Sequence, residues 1–283
     1  MLNGCAYILT VDVGNTFIRF GLFAEDSATA QECPLATCEI TTPSSITADE
    51  ARMRLAQVMG ALAADAGMPG ALVPAAAVLS CVVPALERPW KAALSRTCTG
   101  RVLTVGPGLK TGMPVHYDDP AEIGPDRIAD AVAARAVYGS PCIVIDLGTT
   151  TNIEAIDARG TFVGGVIAPG LALGARSLSA AAARLPQVEP SAPTHVIGRN
   201  TREAMRSGVV LGEVARIDGM LDMVLAEMRA TKAAGEGGVP IVITGDDAEA
   251  LAALVGHSLT VDDALTLRGL AELYRINRKP RRA

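Results

Sequence analysis

Two short stretches constrain this chain more than anything else in it: VDVGNT at residues 11–16 and IDLGTT at residues 145–150. Each ends an apolar, strand-like run in an aspartate, places a glycine two residues later, turns through Asn or Thr, and then resumes a strand-like segment. A single copy reads as an ordinary β-hairpin with a polar tip. Two copies, 134 residues apart, read as one device in duplicate and imply two related lobes. The length of 283 residues leaves room for both, at a soft prior of about 150 residues per domain.

The composition of the turn suggests its use. Glycine lets backbone come close to a ligand, and successive N–H groups with Thr or Asn side chains supply donors for phosphate oxygens. The aspartate at each strand end can hold a cation or its waters, which neutralise phosphate charge. Two such hairpins facing a common cleft would form a nucleotide clamp. Other phosphate signatures are missing: no G-x-x-x-x-G-K-[ST] occurs, and GPGLKTG at 106–112 lacks that spacing and reads as a turn. None of the four lysines (Lys91, Lys110, Lys232, Lys279) falls in either hairpin, so amides and a metal would carry the work.

Composition narrows the class. Hydrophobic residues make up 49% but aromatics only 3%, so Ala, Val, Leu and Ile must fill an ordered core. A net charge of −5 gives no electrostatic case for nucleic acid, and the basic cluster Arg275, Arg278, Lys279, Arg281 and Arg282 reads as a solvated tail. No apolar run approaches the ~20 residues of a membrane span, and the start is a poor signal peptide. Six cysteines (Cys5, Cys33, Cys38, Cys81, Cys98, Cys142) form no C-x-x-C pair and suit reduced thiols in a cytoplasmic protein. His116, His195 and His257 are too scattered for a local metal motif.

Between the hairpins, Pro125 suits the first position of a helix that continues through Ile128, Ala131, Val132 and Ala136. Asp126 then lies in the first turn, where it either complements the helix dipole or, beside Arg127 and downstream of Tyr117, serves as a base for an acceptor hydroxyl. Further on, Gly165 and Gly170 serve either a tight turn or a close approach to ligand. Asn200-Thr201-Arg202-Glu203 has the form of a capping box, which leaves Thr201 either as part of the cap or as a donor to a substrate carboxylate. The stripe Val214, Ile217, Leu221, Val224, Leu225 and Met228 reads as core or as a subunit contact. Thr244-Gly245-Asp246-Asp247 follows the strand Ile241–Ile243 and suits an adenosine wall or a pair of helix caps.

Taken in order, these motifs resemble the type III pantothenate kinases of the actin-like ATPase superfamily. The resemblance rests on D-x-G-N-T at Asp12 to Thr16, SCVVP at 80–84, YDDPAEIGPDR with its G-x-D-R at Gly124 to Arg127, D-x-G-T at Asp146 to Thr149, GGVIAPG, IGRNTREAMRSG and LTLRGLAELY. It implies an α/β fold of two actin-like (ribonuclease H-like) lobes, residues 1–120 and 121–283, with an interlobe nucleotide cleft. It also implies ATP-dependent phosphorylation of pantothenate to 4′-phosphopantothenate, the first step of coenzyme A synthesis. Under it, Asp12, Val13, Gly14, Asn15, Thr16, Phe17, Ile18 and Arg19 line the phosphates and Mg2+, Asp12 as metal ligand, and Thr149 contacts ATP. Asp126 is the base, Tyr117, Gly124, Pro125, Arg127 and Thr201 join it in binding pantothenate, and Asp146 holds a monovalent cation (K+ or NH4+). The family is homodimeric, which makes the stripe after Thr201 an interface candidate.

Two departures stand out. The family commonly reads T-G-G where this chain has Thr244-Gly245-Asp246, and D-x-G-T-A-T-T where it has DLGTTTN. The first sets a carboxylate where a glycine would let adenosine approach, which keeps open a non-catalytic nucleotide-binding regulatory relative. A kinase for another small hydroxy-acid is the other alternative, since the sequence shows donors for a carboxylate and not the shape of a pocket.

Overall fold

The computed structural model describes residues 6–68 and 72–278; Cys5, Lys279, Arg281 and Arg282 lie outside them. The duplication inferred from the two hairpins is present in the sheets. In the first half, β1 (Tyr7–Val13), β2 (Phe17–Ala24) and β3 (Ala36–Thr41) form an antiparallel meander. After α1 (Ala48–Asp65), β4 (Ala76–Cys81) joins β1 in parallel, and after α2 (Pro84–Thr97), β5 (Val102–Thr104) extends the parallel edge. The order is β3-β2-β1-β4-β5. α3 (Pro125–Tyr138) closes this half.

The second half repeats the plan. β6 (Cys142–Leu147), β7 (Thr150–Ile156) and β8 (Phe162–Pro169) are antiparallel. α4 (Leu171–Ala181), α5 (Thr201–Arg206), a π-helical turn at Ser207–Leu211 and α6 (Gly212–Ala230) lead to β9 (Ile241–Gly245), which pairs with β6 in parallel. Past α7 (Ala248–Ala252), the short β10 (Thr260–Val261) pairs with β9 in parallel, so the order β8-β7-β6-β9-β10 matches the first sheet strand for strand.

Local chemistry explains the elements. β1 is central and buried on both faces, hence the near-continuous run Ile8, Leu9, Val11 and Val13. Thr47 caps α1 through a reciprocal capping box with Glu50, and Pro84 occupies the first turn of α2, where its missing N–H costs nothing. The first core packs Val11, Ile18 and Phe20 against Leu55, Leu62 and Trp90, with the Phe20 and Trp90 rings 5.6 Å apart and tilted. The second packs Ile143, Ile145 and Ile153 against Ile217, Leu221, Leu225 and Met228. The stripe after Thr201 is therefore core, not a subunit contact.

The division of the chain differs from the expected one at 120/121. One compact unit comprises residues 1–137 together with 264–283, and the other residues 138–263. The reason lies in α8 (Leu265–Asn277), which packs on β1, β2 and β4. Arg268 Nε donates to the Ala30 carbonyl at 2.6 Å, Glu272 accepts from the Ala30 N–H, and the Tyr274 hydroxyl donates to Glu25 at 2.6 Å. Gly269 lets α8 close on α3: a Cβ there would come within 1.9 Å of the Ala129 carbonyl. Among the described residues, no helix is long and apolar enough to cross a membrane.

Candidate active site

In the first unit the site begins at the mouth of the β1–β2 hairpin. The Gly14 N–H donates to the Phe17 carbonyl at 3.0 Å, which closes the turn and leaves Asn15 and Thr16 exposed at the tip. Thr42, which belongs to none of the sequence motifs, braces that tip: its hydroxyl donates to the Gly14 carbonyl at 2.8 Å and its N–H to the Thr16 carbonyl at 2.9 Å. Val13 and Ile18 are fully buried in the core, which leaves their backbone groups, not their side chains, for a ligand. Asp12 stands in a lateral row fixed by strand register, Glu39–Arg19–Asp12–Ser80, across β3, β2, β1 and β4. Arg19 Nε donates to Glu39 at 3.0 Å.

Asp12 is buried, and its carboxyl is pushed up to about 6, first by burial and then by the Asp126 carboxylate; Ser80 and Arg19 partly offset the rise. The Ser80 hydroxyl is near enough to favour the charge, yet neither Asp12 Oδ1 nor Ser80 Oγ has a partner in proper hydrogen-bond geometry. Such buried, unmet polar atoms cost about 1–3 kcal/mol each. Asp126 sits in the first turn of α3, as the sequence predicted. Burial raises its pKa too, opposed by the Arg127 N–H, which donates to Oδ1 at 2.8 Å, and by the Arg127 guanidinium. Dipole complement and base are thus compatible roles for one side chain. Gly124 is needed by that carboxylate: a Cβ at 124 would lie 2.3 Å from Asp126 Oδ1.

Beside this helix start lies a cavity of about 540 Å³ walled by Val105, Leu109, Met113, Ile123, Pro125 and Ile128. The GPGLKTG segment is consequently more than a turn. It forms part of the wall and is anchored by Asn277, which accepts from the Lys110 N–H and donates to the Lys110 carbonyl, and by Arg135, which donates to the Gly112 carbonyl at 2.6 Å. Tyr117 is half-buried and Arg127 buried in the same unit.

In the second unit, Asp146 occupies the place of Asp12, with Asn152 across the antiparallel ladder and Thr244 across the parallel one. The turn after it is held by backbone. Gly170 donates its N–H to the Thr149 carbonyl at 3.1 Å, and a Cβ at 170 would meet the Gly148 carbonyl at 2.2 Å. Gly245, at φ +102°, lies so close that a Cβ would come within 2.0 Å of the Leu147 carbonyl. Close approach of main chain to main chain, against Gly148 and Thr149, is therefore the reason for Gly170, and in Thr244-Gly245-Asp246 the glycine that cannot be replaced is Gly245. Asp246 is exposed, and its N–H donates to the Leu147 carbonyl at 2.8 Å.

Thr201 opens α5, but the cap is Asn200, whose Oδ1 accepts from the Glu203 N–H at 3.0 Å, while Glu203 accepts from the Arg199 N–H. The Thr201 side chain is not spent on that cap and is exposed. Sequence reasoning missed Glu213, buried at the start of α6. It accepts from the Thr151 hydroxyl at 2.7 Å and pairs with Arg216, which donates to the Pro169 carbonyl. The available signal was an acid three residues before an arginine on an otherwise apolar face. The structure thus gathers Asp12, Arg19, Gly124 and Asp126 in one unit, and Asp146, Thr149 and Thr201 belong to the other.

Comparison with known proteins follows this geometry. A sequence profile described as type III pantothenate kinase matches residues 8–223. A protein named type III pantothenate kinase 2 from Symbiobacterium thermophilum is 40% identical over 271 residues, covering 94% of this chain and 96% of that one. Among solved structures, ethanolamine utilization protein EutJ from Carboxydothermus hydrogenoformans superposes with a TM-score of 0.53 at 15% identity, covering 94% and 89% of the two chains. MreB 5 of Spiroplasma citri bound to AMPPNP gives 0.51 at 12%, covering 96% and 95%. These likenesses show an actin-like fold.

Two outcomes follow from the carboxylates. Because the Asp12 pKa is higher folded than in the unfolded chain, the native state binds the extra proton, and metal-free stability falls as pH rises from about 4 through about 6. Asp12→Asn is expected to flatten that fall, gaining up to about 3 kcal/mol at pH 8 relative to pH 4 in urea unfolding; parallel pH curves for the two proteins would refute it. Gly124→Ala is expected to displace the Asp126 carboxylate and lower kcat about 100-fold with the fold retained, as read by steady-state turnover and circular dichroism; wild-type kcat would show the contact to be dispensable.

Proposed function

This chain belongs to the type III pantothenate kinases, and from that membership we propose that Asp126 accepts the proton of the pantothenate 4′-hydroxyl as the γ-phosphoryl group of ATP is transferred to it. The observation that carries the assignment is the buried Asp12 carboxylate, which feels the charge of the half-buried Asp126, beside a glycine turn whose tip residues Asn15 and Thr16 are exposed. Phosphoryl transfer through a loose transition state asks for orientation and late proton acceptance, and a carboxylate whose pKa is raised by burial is a better acceptor than an exposed one. Pro125 and Arg127 flank Asp126 on α3, and we assign them, with Gly124, Tyr117 and Thr201, to pantothenate binding.

The residues present fit a divalent cation. Asp12 Oδ1 is a buried acceptor with no partner, and the Asp126 carboxylate shares its field. Mg2+ held by Asp12 would neutralise phosphate charge. Gly14 to Arg19 would meet the phosphates through backbone and through Asn15, Thr16 and Arg19, with Thr149 as a further ATP contact. We assign the monovalent cation, K+ or NH4+, to Asp146. Among the described residues the cysteines are thiols, which fits a cytoplasmic location. The regulatory alternative rested on Asp246, which is exposed, while the packed contact with Leu147 is made by Gly245.

We assign a homodimer from the family resemblance; the second unit exposes Ile167, Leu173, Leu178, Val196, Ile197 and Met223, apolar side chains that a subunit contact would cover, Ile197 by 83%. Sedimentation is expected to give a dimer that Ile167→Glu with Ile197→Glu weakens; a monomeric wild-type chain would overturn it.

Asp126→Asn is expected to fold normally and lose 100- to 10,000-fold in kcat, measured as 4′-phosphopantothenate by mass spectrometry. Wild-type turnover would remove Asp126 as the base. In the same assay, equal rates in potassium and sodium would remove the cation role of Asp146.

A further inference from the structure

The two sheets share more than strand order. In each, the aspartate that ends the first strand has a buried hydroxyl residue as its register partner on the parallel neighbour: Ser80 beside Asp12, and Thr244 beside Asp146. Ser80 is 0% exposed and Thr244 2% exposed. Such positions at the centre of a doubly covered sheet are ordinarily filled by Val, Ile or Ala, as the neighbouring Ala77, Val78 and Leu79 are. A hydroxyl there twice, each time next to the one carboxylate of its strand, is a feature of the aspartate's surroundings and not of strand packing.

From this pairing, and from the two unmet polar atoms Asp12 Oδ1 and Ser80 Oγ, we infer that Ser80 is a positioning residue for the Asp12 carboxylate, turning it toward a bound divalent cation. The proposal rests on the reading of Asp12 as the cation ligand. β4 is well placed for this role. It is hydrogen-bonded to β1 along its length, and the Val82 N–H donates to the Val13 carbonyl at 3.0 Å just past the pair, so the Ser80 backbone cannot drift from Asp12. On the other side, Arg19 is tied to Glu39 and supplies charge to Asp12. The carboxylate is thus held between a guanidinium and a hydroxyl. With one oxygen committed to a cation, the Ser80 O–H donates to the other and fixes the rotamer, as hydrogen-bond partners of metal ligands generally do. In this structure the hydroxyl lies near enough to Asp12 to favour its charge but meets no acceptor in hydrogen-bond geometry.

The test uses the full chain without nucleotide. Mn2+ binding is followed by electron paramagnetic resonance in the wild type and in Asp12→Ala, Ser80→Ala and Ser80→Thr, alongside thermal unfolding of each metal-free protein. Ser80→Ala is expected to weaken Mn2+ binding 10- to 100-fold, while its metal-free melting temperature stays level or rises because a buried hydroxyl without a partner has been removed. Ser80→Thr restores the binding. Wild-type Mn2+ affinity in Ser80→Ala, with affinity lost in Asp12→Ala, overturns the role of Ser80 alone. A lowered melting temperature in Ser80→Ala makes the hydroxyl structural and likewise overturns it. Undiminished binding in Asp12→Ala overturns the metal reading of Asp12, and Ser80's role with it.

Discussion

The structure depends on keeping a carboxylate at the end of a buried strand. Asp12 is walled by β2 and β4 and feels the charge of a second carboxylate on α3, an arrangement that water would screen and that burial makes costly. Much of the first unit can be read as the means of holding it. The central strand is buried on both faces, and its pairing with β2 and β4 sets Asp12 between Arg19 and Ser80. The hairpin tip is braced by Thr42, α3 is brought close by Gly269 of α8, and Gly124 makes room for Asp126. Strain of this kind is retained where a ligand relieves it.

The second unit applies the same plan to a different end. The turn that follows its aspartate is hemmed by backbone: Gly170 and Gly245 bring main chain against Leu147 to Thr149. Glu213 and Arg216 then tie the strand after that turn to α6 and to the Pro169 carbonyl. A turn fixed from several sides presents its N–H groups in one arrangement and spends little on ordering when a phosphate arrives.

What the sequence disclosed and what it hid follow one division. Local periodicity and turn chemistry revealed the hairpins at Asp12 and Asp146, the helix starting at Pro125, the cap at Asn200 and the strand before Thr244, because each is specified within a few residues. The stripe Val214 to Met228 was legible as apolar, but its partner was not, since a core face and an interface face carry the same pattern. The return of α8 to the first unit was hidden for a related reason. The contacts of Arg268 and Glu272 with Ala30 span more than two hundred residues and leave no local mark. Ser80 carries no local mark within SCVVP, because only strand register sets it beside Asp12. The wall formed by GPGLKTG escaped notice because its glycines suit a turn equally well.

That late return has a bearing on how the protein is made. Residues 1–137 leave the ribosome first, yet the helix that packs on β1, β2 and β4 follows the whole of the other unit. The first unit must wait, with one face of its sheet uncovered, while some 125 residues are synthesised, about 6–25 seconds at bacterial or eukaryotic elongation rates. The second unit is continuous in the chain and is under no such delay. Order of synthesis and order of completion are therefore opposed: the half that carries Asp12 and Asp126 begins earlier and is finished last.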